Sequence, residues 1–257
     1  MADWFQNGFH RFLGGYLSRH FHAIAVDRTA RPDNDGGLIP GEPVIVFGNH
    51  PSWWDPLIGH FLNRSLFGGR QFFAPIDAEA LQKYKVFGKL GFFGVDLGKR
   101  SGASEFLSTS QQILSRDDAA LWITPEGRFT DVRDHTETLM PGLAHLCHRN
   151  VRGCAVAMAL EYVFWDERSP VCLARFSKPI ALADHSDWNK SQWNDHLTDV
   201  MRQNQNCLAT LAIARDSSPM DNLLRGKTGA GGVYDLMRRS KSWVTGQPFQ
   251  SQHGNQF

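Results

Sequence analysis

An apolar run that stops in a polar loop is the feature that most constrains how this chain folds. Val44 to Phe47 are all apolar, and the run ends at Gly48 and Asn49. Apolar residues then resume with helical spacing at Leu57, Ile58, Phe61 and Leu62. This pattern predicts a buried strand, a tight loop and a helix. His50 and Asp55 fall between the two apolar segments, and we expect them to share one turn.

The pairing of His50 with Asp55 suggests acid–base chemistry. A histidine can accept a proton at neutral pH, and a nearby carboxylate fixes its tautomer and stabilises the imidazolium. The His-x4-Asp spacing occurs often by chance, so it carries weight only together with a second segment.

That second segment is another apolar run that ends in a polar loop. Ala119 to Ile123 predict a strand, and residues 104–114 before it predict a helix. A helix between two strands implies a parallel crossover, which brings the carboxyl ends of both strands to one edge of a sheet. We therefore expect His50 and Glu126 to meet in a crevice at that edge.

Together the two loops resemble a known family. Asn49-His50-Pro51-Ser52-Trp53-Trp54-Asp55 is similar to the His-x4-Asp block of the glycerolipid acyltransferases, and Pro125-Glu126-Gly127-Arg128 is similar to their Pro-Glu-Gly block. This family includes the lysophosphatidic acid acyltransferases, and the resemblance covers roughly residues 40 to 180. It implies that His50 takes the proton of an acceptor hydroxyl while Asp55 orients His50. Acyl-CoA or acyl carrier protein would be the co-substrate, and no cofactor and no acyl-enzyme would be needed.

The resemblance also implies residues that bind the acceptor. They are Glu126, Gly127, Arg128 and, where the family has an arginine after its second block, Arg100. The match departs from the family pattern at two places. Arg128 stands where threonine is usual and Phe129 where an arginine is usual, while Arg100 lies two or three residues late. These shifts put the class of acceptor in doubt, but not the reaction.

Trp53 and Trp54, inside the His-x4-Asp block, are predicted to line the acyl path. Packing in the core is an equal alternative for one of them. His145, Cys147, His148 and Cys154 lie close in sequence, but the cysteines lack the paired spacing of structural zinc sites. We therefore predict no metal.

Length and composition favour one α/β domain. The chain has 257 residues, a net charge of +1 and 21% charged residues, which gives no indication of a nucleic-acid partner. We predict a central mixed, largely parallel sheet flanked by helices. The expected boundaries are an amphipathic helix in residues 1–25, an acyltransferase domain in 40–240 and a disordered tail in 245–257.

The N-terminal segment offers a contact with a membrane. Its apolar residues recur at helical spacing, at Trp4, Phe5, Phe9, Phe12, Leu13, Tyr16 and Leu17. Such a helix either lies in the headgroup region of a bilayer or caps the core of the protein, and both can hold. Without an apolar leader or a stretch of the ~20 residues that a membrane span needs, we expect a cytoplasmic protein, peripheral on the inner face of the membrane.

Further elements follow from hydrophobic patterns. We predict a strand over 71–75, a helix over 78–90 whose inward side includes Tyr84 and Val86, and a helix over 138–149. Two strands, 154–160 and 171–176, flank a turn that contains Tyr162. One or two helices cover 186–216, and a flexible connector leads to a terminal helix over 233–240.

We therefore predict an O-acyltransferase that acts on a lysophospholipid-type acceptor. The alternatives are an acyltransferase for an amino-, glyco- or terpenoid lipid, and a non-catalytic lipid-binding protein. A hydrolase lacks a nucleophile, because Ser52 lies in no Gly-x-Ser-x-Gly elbow.

Overall fold

The computed structural model describes residues 3–33, 37–96, 98–136, 138–226 and 257, with the side chains of Asp3, Trp4 and Arg100 excepted. The helices are α1 Asp3–His20, α2 Asp55–Leu66, α3 Ala78–Lys83, α4 Arg100–Leu114, α5 Gly142–Arg149 and α6 Lys190–Ala214. The strands are β1 Ala23–Asp27, β2 Val44–Gly48, β3 Gln71–Asp77, β4 Phe92–Val95, β5 Ala119–Ile123, β6 Cys154–Val163, β7 Val171–Phe176, β8 Ile180–Ala181 and β9 Met220–Arg225. Short 3-10 turns lie at Arg28–Ala30, Phe87–Leu90 and Leu182–His185.

All these strands join one sheet in the order β4-β3-β5-β2-β6-β7-β1-β9, with β8 beside β6. The pairs among β4, β3, β5, β2 and β6 are parallel, as is β1 with β7. β7 and β8 run antiparallel to β6, and β9 runs antiparallel to β1. The predicted α/β domain with a mixed, largely parallel sheet is confirmed.

Both faces of the sheet are covered, because alternate residues of a strand point to opposite sides. Val44 and Val46 of β2 join the hydrophobic cluster that includes residues of α1 and α2. Ile45 and Phe47 join the cluster that includes residues of α5 and α6. A strand covered on both sides reads as an unbroken apolar run, which explains why β2 stands out in the sequence.

The predicted N-terminal helix is present as α1. Leu13 and Leu17 are buried in the core cluster, whereas Phe12 has an exposed fraction of 65%. α1 therefore caps the core along one side and leaves an aromatic residue in solvent on another. It ends at His20, and β1 begins within the segment expected to be helical. β1 and β9 were not predicted from the sequence.

The predicted helix over 78–90 is wrong in its second half. α3 ends at Lys83, a 3-10 turn covers Phe87–Leu90, and Tyr84 and Val86 are exposed rather than inward. The β-branched and aromatic residues here and Gly88 are weak helix formers, and Gly91 closes the segment with φ of 98°. By contrast, the C-terminal helical region is one helix, α6, which begins with a capping box formed by Asn189 and Gln192.

The predicted connector after Gly226, the terminal helix over 233–240 and the tail before Phe257 lie outside the described residues. Among the helices of the described residues, none is long and apolar enough to span a bilayer.

Candidate active site

Two neighbouring strands carry the site. β2 and β5 are adjacent and parallel, with Val46 opposite Trp122 and Phe47 opposite Ile123. Their carboxyl ends therefore lie side by side, and the loops that follow are joined by a hydrogen bond from the Thr130 N–H to the His50 carbonyl oxygen at 3.0 Å. The expected meeting of the two loops at one edge is confirmed.

His50 and Asp55 form a direct pair in the loop after β2. His50 Nδ1 lies 2.6 Å from Asp55 Oδ2, and the same oxygen accepts the Ser52 N–H at 3.0 Å. Asp55 is the first residue of α2, where the helix dipole favours a negative charge. The carboxylate is thus held both by its position on the helix and by its neighbours.

The two members of this pair differ in their access to solvent. The His50 side chain is 19% exposed and the Asp55 side chain is 4% exposed. Because Nδ1 faces the carboxylate, Nε2 is the ring nitrogen left to accept a proton from a substrate. A neutral imidazole oriented in this way has the arrangement of a general base.

Two residues that support the loop were missed in the sequence. The Asn49 side chain donates to the Leu160 carbonyl oxygen and accepts the Leu160 N–H, both at 2.9 Å. The Tyr162 hydroxyl donates to Asp55 Oδ1 at 2.6 Å. The predicted turn at Tyr162 is wrong, because β6 continues to Val163. Met158, Leu160 and Tyr162 stand at every second position, and this period of two is the sequence signal that would have predicted a longer strand.

Glu126 is a buried residue of the loop after β5. Its side chain has no exposed surface, and its Oε1 accepts from Arg202 Nη1 at 2.8 Å. Arg202 lies on α6 and also donates to Gln205 Oε1 at 2.8 Å. Glu126 is therefore attached by an ion pair to a helix that no sequence motif indicated, and its predicted contact with the acceptor stays a prediction. Arg128 itself is exposed.

Gly127 and Phe129 shape the rest of this loop. Gly127 has φ of 69°, a conformation that suits glycine, and its N–H donates to the Thr124 carbonyl oxygen at 3.0 Å. The Phe129 ring lies 4.3 Å from the His50 ring, centroid to centroid, and 57% of Phe129 is exposed. Phe129 therefore forms an apolar wall against the imidazole.

Trp53 and Trp54 have different surroundings. Trp54 packs against Phe21 and against Tyr16 and His20 of α1, with ring centroids 5.0, 5.8 and 5.1 Å apart. Trp53 is 64% exposed and touches Trp54 edge to face. The proposed lining of an acyl path by these residues stays a prediction, with Trp53 the more accessible of the two.

Arg100 begins α4, after the carboxyl end of β4. This is the same edge of the sheet, but β3 and β5 lie between β4 and β2. The side chain of Arg100 is outside the described part of the chain, so its predicted contact with the acceptor stays a prediction.

The cysteines and histidines near α5 form no metal centre in the described residues, where no group of three or more His, Cys, Asp or Glu side chains could hold an ion. Burial raises the pKa of Cys154 to about 11 and that of Cys147 further. Both thiols are therefore protonated at neutral pH, and a thiol must lose its proton to bind a metal.

An α/β sheet that presents a histidine–carboxylate pair and a Pro-Glu-Gly loop at one edge is the arrangement that the resemblance to the acyltransferases predicts. A family model described as Acyltransferase matches residues 31–155, which contain both loops. This segment is therefore similar to the acyltransferase family that the two motifs predict. None of the curated proteins compared with the chain matches it.

Proposed function

We propose that the protein transfers a fatty acyl group from acyl-CoA or acyl carrier protein to a hydroxyl of a lysophospholipid-type acceptor, such as 1-acylglycerol-3-phosphate, in phospholipid biosynthesis. The observation that carries the proposal is the 2.6 Å contact between His50 Nδ1 and Asp55 Oδ2 at the edge of the sheet. It leaves Nε2 as the proton acceptor within the matched family segment.

In the proposed reaction, the acceptor O–H gives its proton to His50 Nε2 as the oxygen attacks the thioester carbonyl. Asp55 stabilises the imidazolium that forms. When the tetrahedral intermediate collapses, the C–S bond breaks and the leaving thiolate takes the proton from the imidazolium. The products are the acylated lipid and the free thiol, and His50 returns to its neutral form.

The oxyanion of this intermediate needs hydrogen-bond donors. Four N–H groups of the two loops already have protein partners. Those of Ser52 and Trp54 donate to Asp55 Oδ2 and Ser52 Oγ, and those of Gly127 and Thr130 donate to the carbonyl oxygens of Thr124 and His50. The donors must therefore come from other groups of these loops, and Arg128 is a candidate to bind the acceptor headgroup.

One observation favours a second candidate function, acyl transfer to a lipid without a glycerol phosphate. Phe129 places an apolar ring against His50 at the position where the family usually has an arginine. An aromatic wall suits an acceptor with an apolar or uncharged group near its hydroxyl. The amino-, glyco- and terpenoid lipids are acceptors of this kind.

Membrane contact through α1 is part of the proposal, with the protein peripheral on the inner face. The exposed Phe12 of α1 lies next to the exposed Arg11, which suits a surface of acyl chains and anionic headgroups. The C-terminal end of α1 packs on Trp54, so a membrane bound by α1 would lie close to the loop of His50.

Radiolabelled acyl-CoA incubated with a total lipid extract tests the proposal. Wild type should label a lipid, His50→Ala should not, and His145→Ala, a histidine substitution on α5, should behave as wild type. A product that carries a phosphate supports the first candidate, and one without a phosphate supports the second. If nothing is labelled with either acyl-CoA or acyl carrier protein as donor, acyl transfer is refuted and the lipid-binding alternative is favoured.

The double substitution Arg128→Thr and Phe129→Arg tests the choice of acceptor. It places threonine and arginine where the family usually has them, with His50 and Asp55 unchanged. We expect activity toward lysophosphatidic acid to rise at least several-fold relative to activity toward an uncharged acceptor. An unchanged ratio would mean that this loop does not select the acceptor.

A further inference from the structure

The carboxylate of Asp55 is held by three groups, two from its own loop and one from β6. Oδ2 contacts His50 Nδ1 and accepts the Ser52 N–H, both within the loop after β2. Oδ1 accepts the Tyr162 hydroxyl at 2.6 Å, across 107 positions of the sequence. Tyr162 is thus the long-range partner of a pair that is otherwise local.

β6 supports the contacts of Asp55 and of the residue before His50. Tyr162 pairs with Cys172 of β7 in the antiparallel ladder, and its ring lies 5.8 Å from the ring of Phe21. Two residues earlier on β6, Leu160 holds both ends of the Asn49 amide. The residue before His50 and the carboxylate beside His50 are therefore both attached to one strand, and a strand inside a sheet is a rigid support.

The Tyr162 hydroxyl is a permanent donor. Burial raises the pKa of Tyr162 well above its usual value, and the carboxylate of Asp55 acts in the same direction. Burial also raises the pKa of the neighbouring Cys172 thiol well above its usual value. Neither group gives up its proton near neutral pH, so the Tyr162 hydroxyl remains a donor to Asp55 Oδ1 there.

We propose that Tyr162 is a positioning residue for the reaction: its hydroxyl holds Asp55 so that Oδ2 stays aimed at His50 Nδ1, and it limits how strongly Asp55 attracts the imidazolium. This inference rests on the proposed role of His50 as a general base. The hydroxyl withdraws charge from the carboxylate through Oδ1, which lowers the basicity of the imidazole paired with Oδ2.

Other titratable groups on the surrounding elements are few. His20 of α1 packs against Trp54, and the thiol of Cys172 on β7 lies within hydrogen-bond reach of Tyr162. The loop after β5 carries Glu126, whose charge is paired with Arg202, and the exposed Arg128. Tyr162→Phe removes a single oxygen and alters none of these residues in sequence.

The pKa of His50, measured by NMR titration in the absence of substrate, tests the inference directly. In Tyr162→Phe the carboxylate loses a donor and becomes a stronger partner for the imidazolium. The pKa of His50 should therefore rise by about half a unit or more. His50→Gln assigns the signal among the 11 histidines. Tyr16→Phe is the matched control, because the Tyr16 ring packs on Trp54 beside Asp55 but its hydroxyl bonds to no described residue.

A second measurement should shift the pKa of His50 in the opposite direction while keeping the hydrogen bond between Tyr162 and Asp55. Replacing the 4 tyrosines with 3-fluorotyrosine makes the phenol more acidic and a stronger donor, so the pKa of His50 should fall. It also serves if Tyr162→Phe does not fold. A pKa of His50 that moves in neither protein would overturn the inference, whatever reaction the enzyme catalyses.

Kinetics then show whether the effect passes through Asp55. Tyr162→Phe should lower kcat about tenfold with little change in KM, and the acidic limb of the pH–rate profile should move to higher pH. In an Asp55→Asn background the same substitution should have almost no further effect. An equal loss in both backgrounds would assign Tyr162 a purely structural role. Loss of activity in Tyr162→Phe but not in His50→Ala would refute the proposed function and not the NMR result.

Discussion

The loops that follow β2 and β5 lie at the same edge of the sheet, yet they hold their charged residues in opposite ways. In the loop after β2, the His50 ring reaches solvent, and its partner Asp55 lies 5 positions away in sequence. In the loop after β5, the Glu126 side chain has no exposed surface, and its partner Arg202 lies 76 positions away in sequence.

This difference indicates that the loop after β2 carries the chemistry and that the loop after β5 has a structural role. A general base must be reachable by a substrate, and His50 meets that requirement. A carboxylate without exposed surface that is bonded to arginine suits a different task, which is to attach the loop of the Pro-Glu-Gly block to α6. We therefore expect the two carboxylates, Asp55 and Glu126, to respond very differently to the same chemical change.

The largest effect is expected from the isosteric pair Asp55→Asn and Glu126→Gln. Asp55→Asn removes the charge that stabilises the imidazolium and should lower kcat by about 10³-fold or more, as in other histidine–carboxylate pairs. Glu126→Gln should lower kcat by less than about tenfold, a barrier change of about 1.4 kcal/mol. Acyl-transfer assays on folded protein measure both. Equal losses would remove the distinction between the two loops.

The next effect concerns stability. Arg202→Met leaves the buried Glu126 carboxylate without its cation and should reduce the free energy of unfolding by about 3–5 kcal/mol. The double variant Glu126→Gln with Arg202→Met removes the unpaired carboxylate charge and should recover part of the lost free energy of unfolding. Urea unfolding gives both values. A single variant within about 1 kcal/mol of wild type would show that the pair does not hold the loop.

His60 provides a contrast with His50, because it is a histidine that the fold encloses. It lies on α2 against the rings of Phe9 and Phe72, and burial lowers its pKa from 6.5 to about 4. The unfolded chain takes up the proton first as the pH falls, so the protein loses stability from about pH 6.5 down to about pH 4.

This loss should reach roughly 2 kcal/mol at pH 5 and roughly 3 kcal/mol at pH 4. In His60→Leu the contribution is absent, so the difference in unfolding free energy between the two proteins should shift in favour of the variant across this range. Urea unfolding at several pH values measures the shift. A difference that does not change with pH would contradict the lowered pKa of His60.

The smallest effect is expected at Gly127. A Cβ on this residue would meet Met140 Sδ at 2.6 Å, and φ of 69° is unfavourable for alanine. Gly127→Ala should reduce the free energy of unfolding by about 1–2 kcal/mol. Adding Met140→Ala removes the contact but not the backbone strain, so a destabilisation of about 1 kcal/mol should remain relative to Met140→Ala alone.

Gly8→Ala is the matched control for this substitution. Gly8 lies in α1 with nothing within 4 Å of the added Cβ, so alanine should stabilise the protein by up to about 1 kcal/mol. If the double variant at Gly127 is as stable as Met140→Ala alone, the conformation of Gly127 contributes no strain.

The sequence by itself determined the elements that depend on short-range patterns. β2, the His50 loop and α2 were predicted because the apolar run, its end at Gly48 and the helical spacing lie within a few turns of chain. The same holds for β5 and for the His50–Asp55 pair, since residues so close in sequence can meet only in a few ways. The family resemblance rested on these local blocks and was confirmed.

Only the tertiary structure decided the partners that come from distant strands and helices. Tyr162, Leu160 and Arg202 reach the site because β6 lies beside β2 and because α6 crosses the face of the sheet. β1, whose five residues are all buried, could not be distinguished from the end of the preceding amphipathic helix by its short apolar run alone. Strand order and helix packing are set by burial summed over the whole chain, and no single motif encodes that sum.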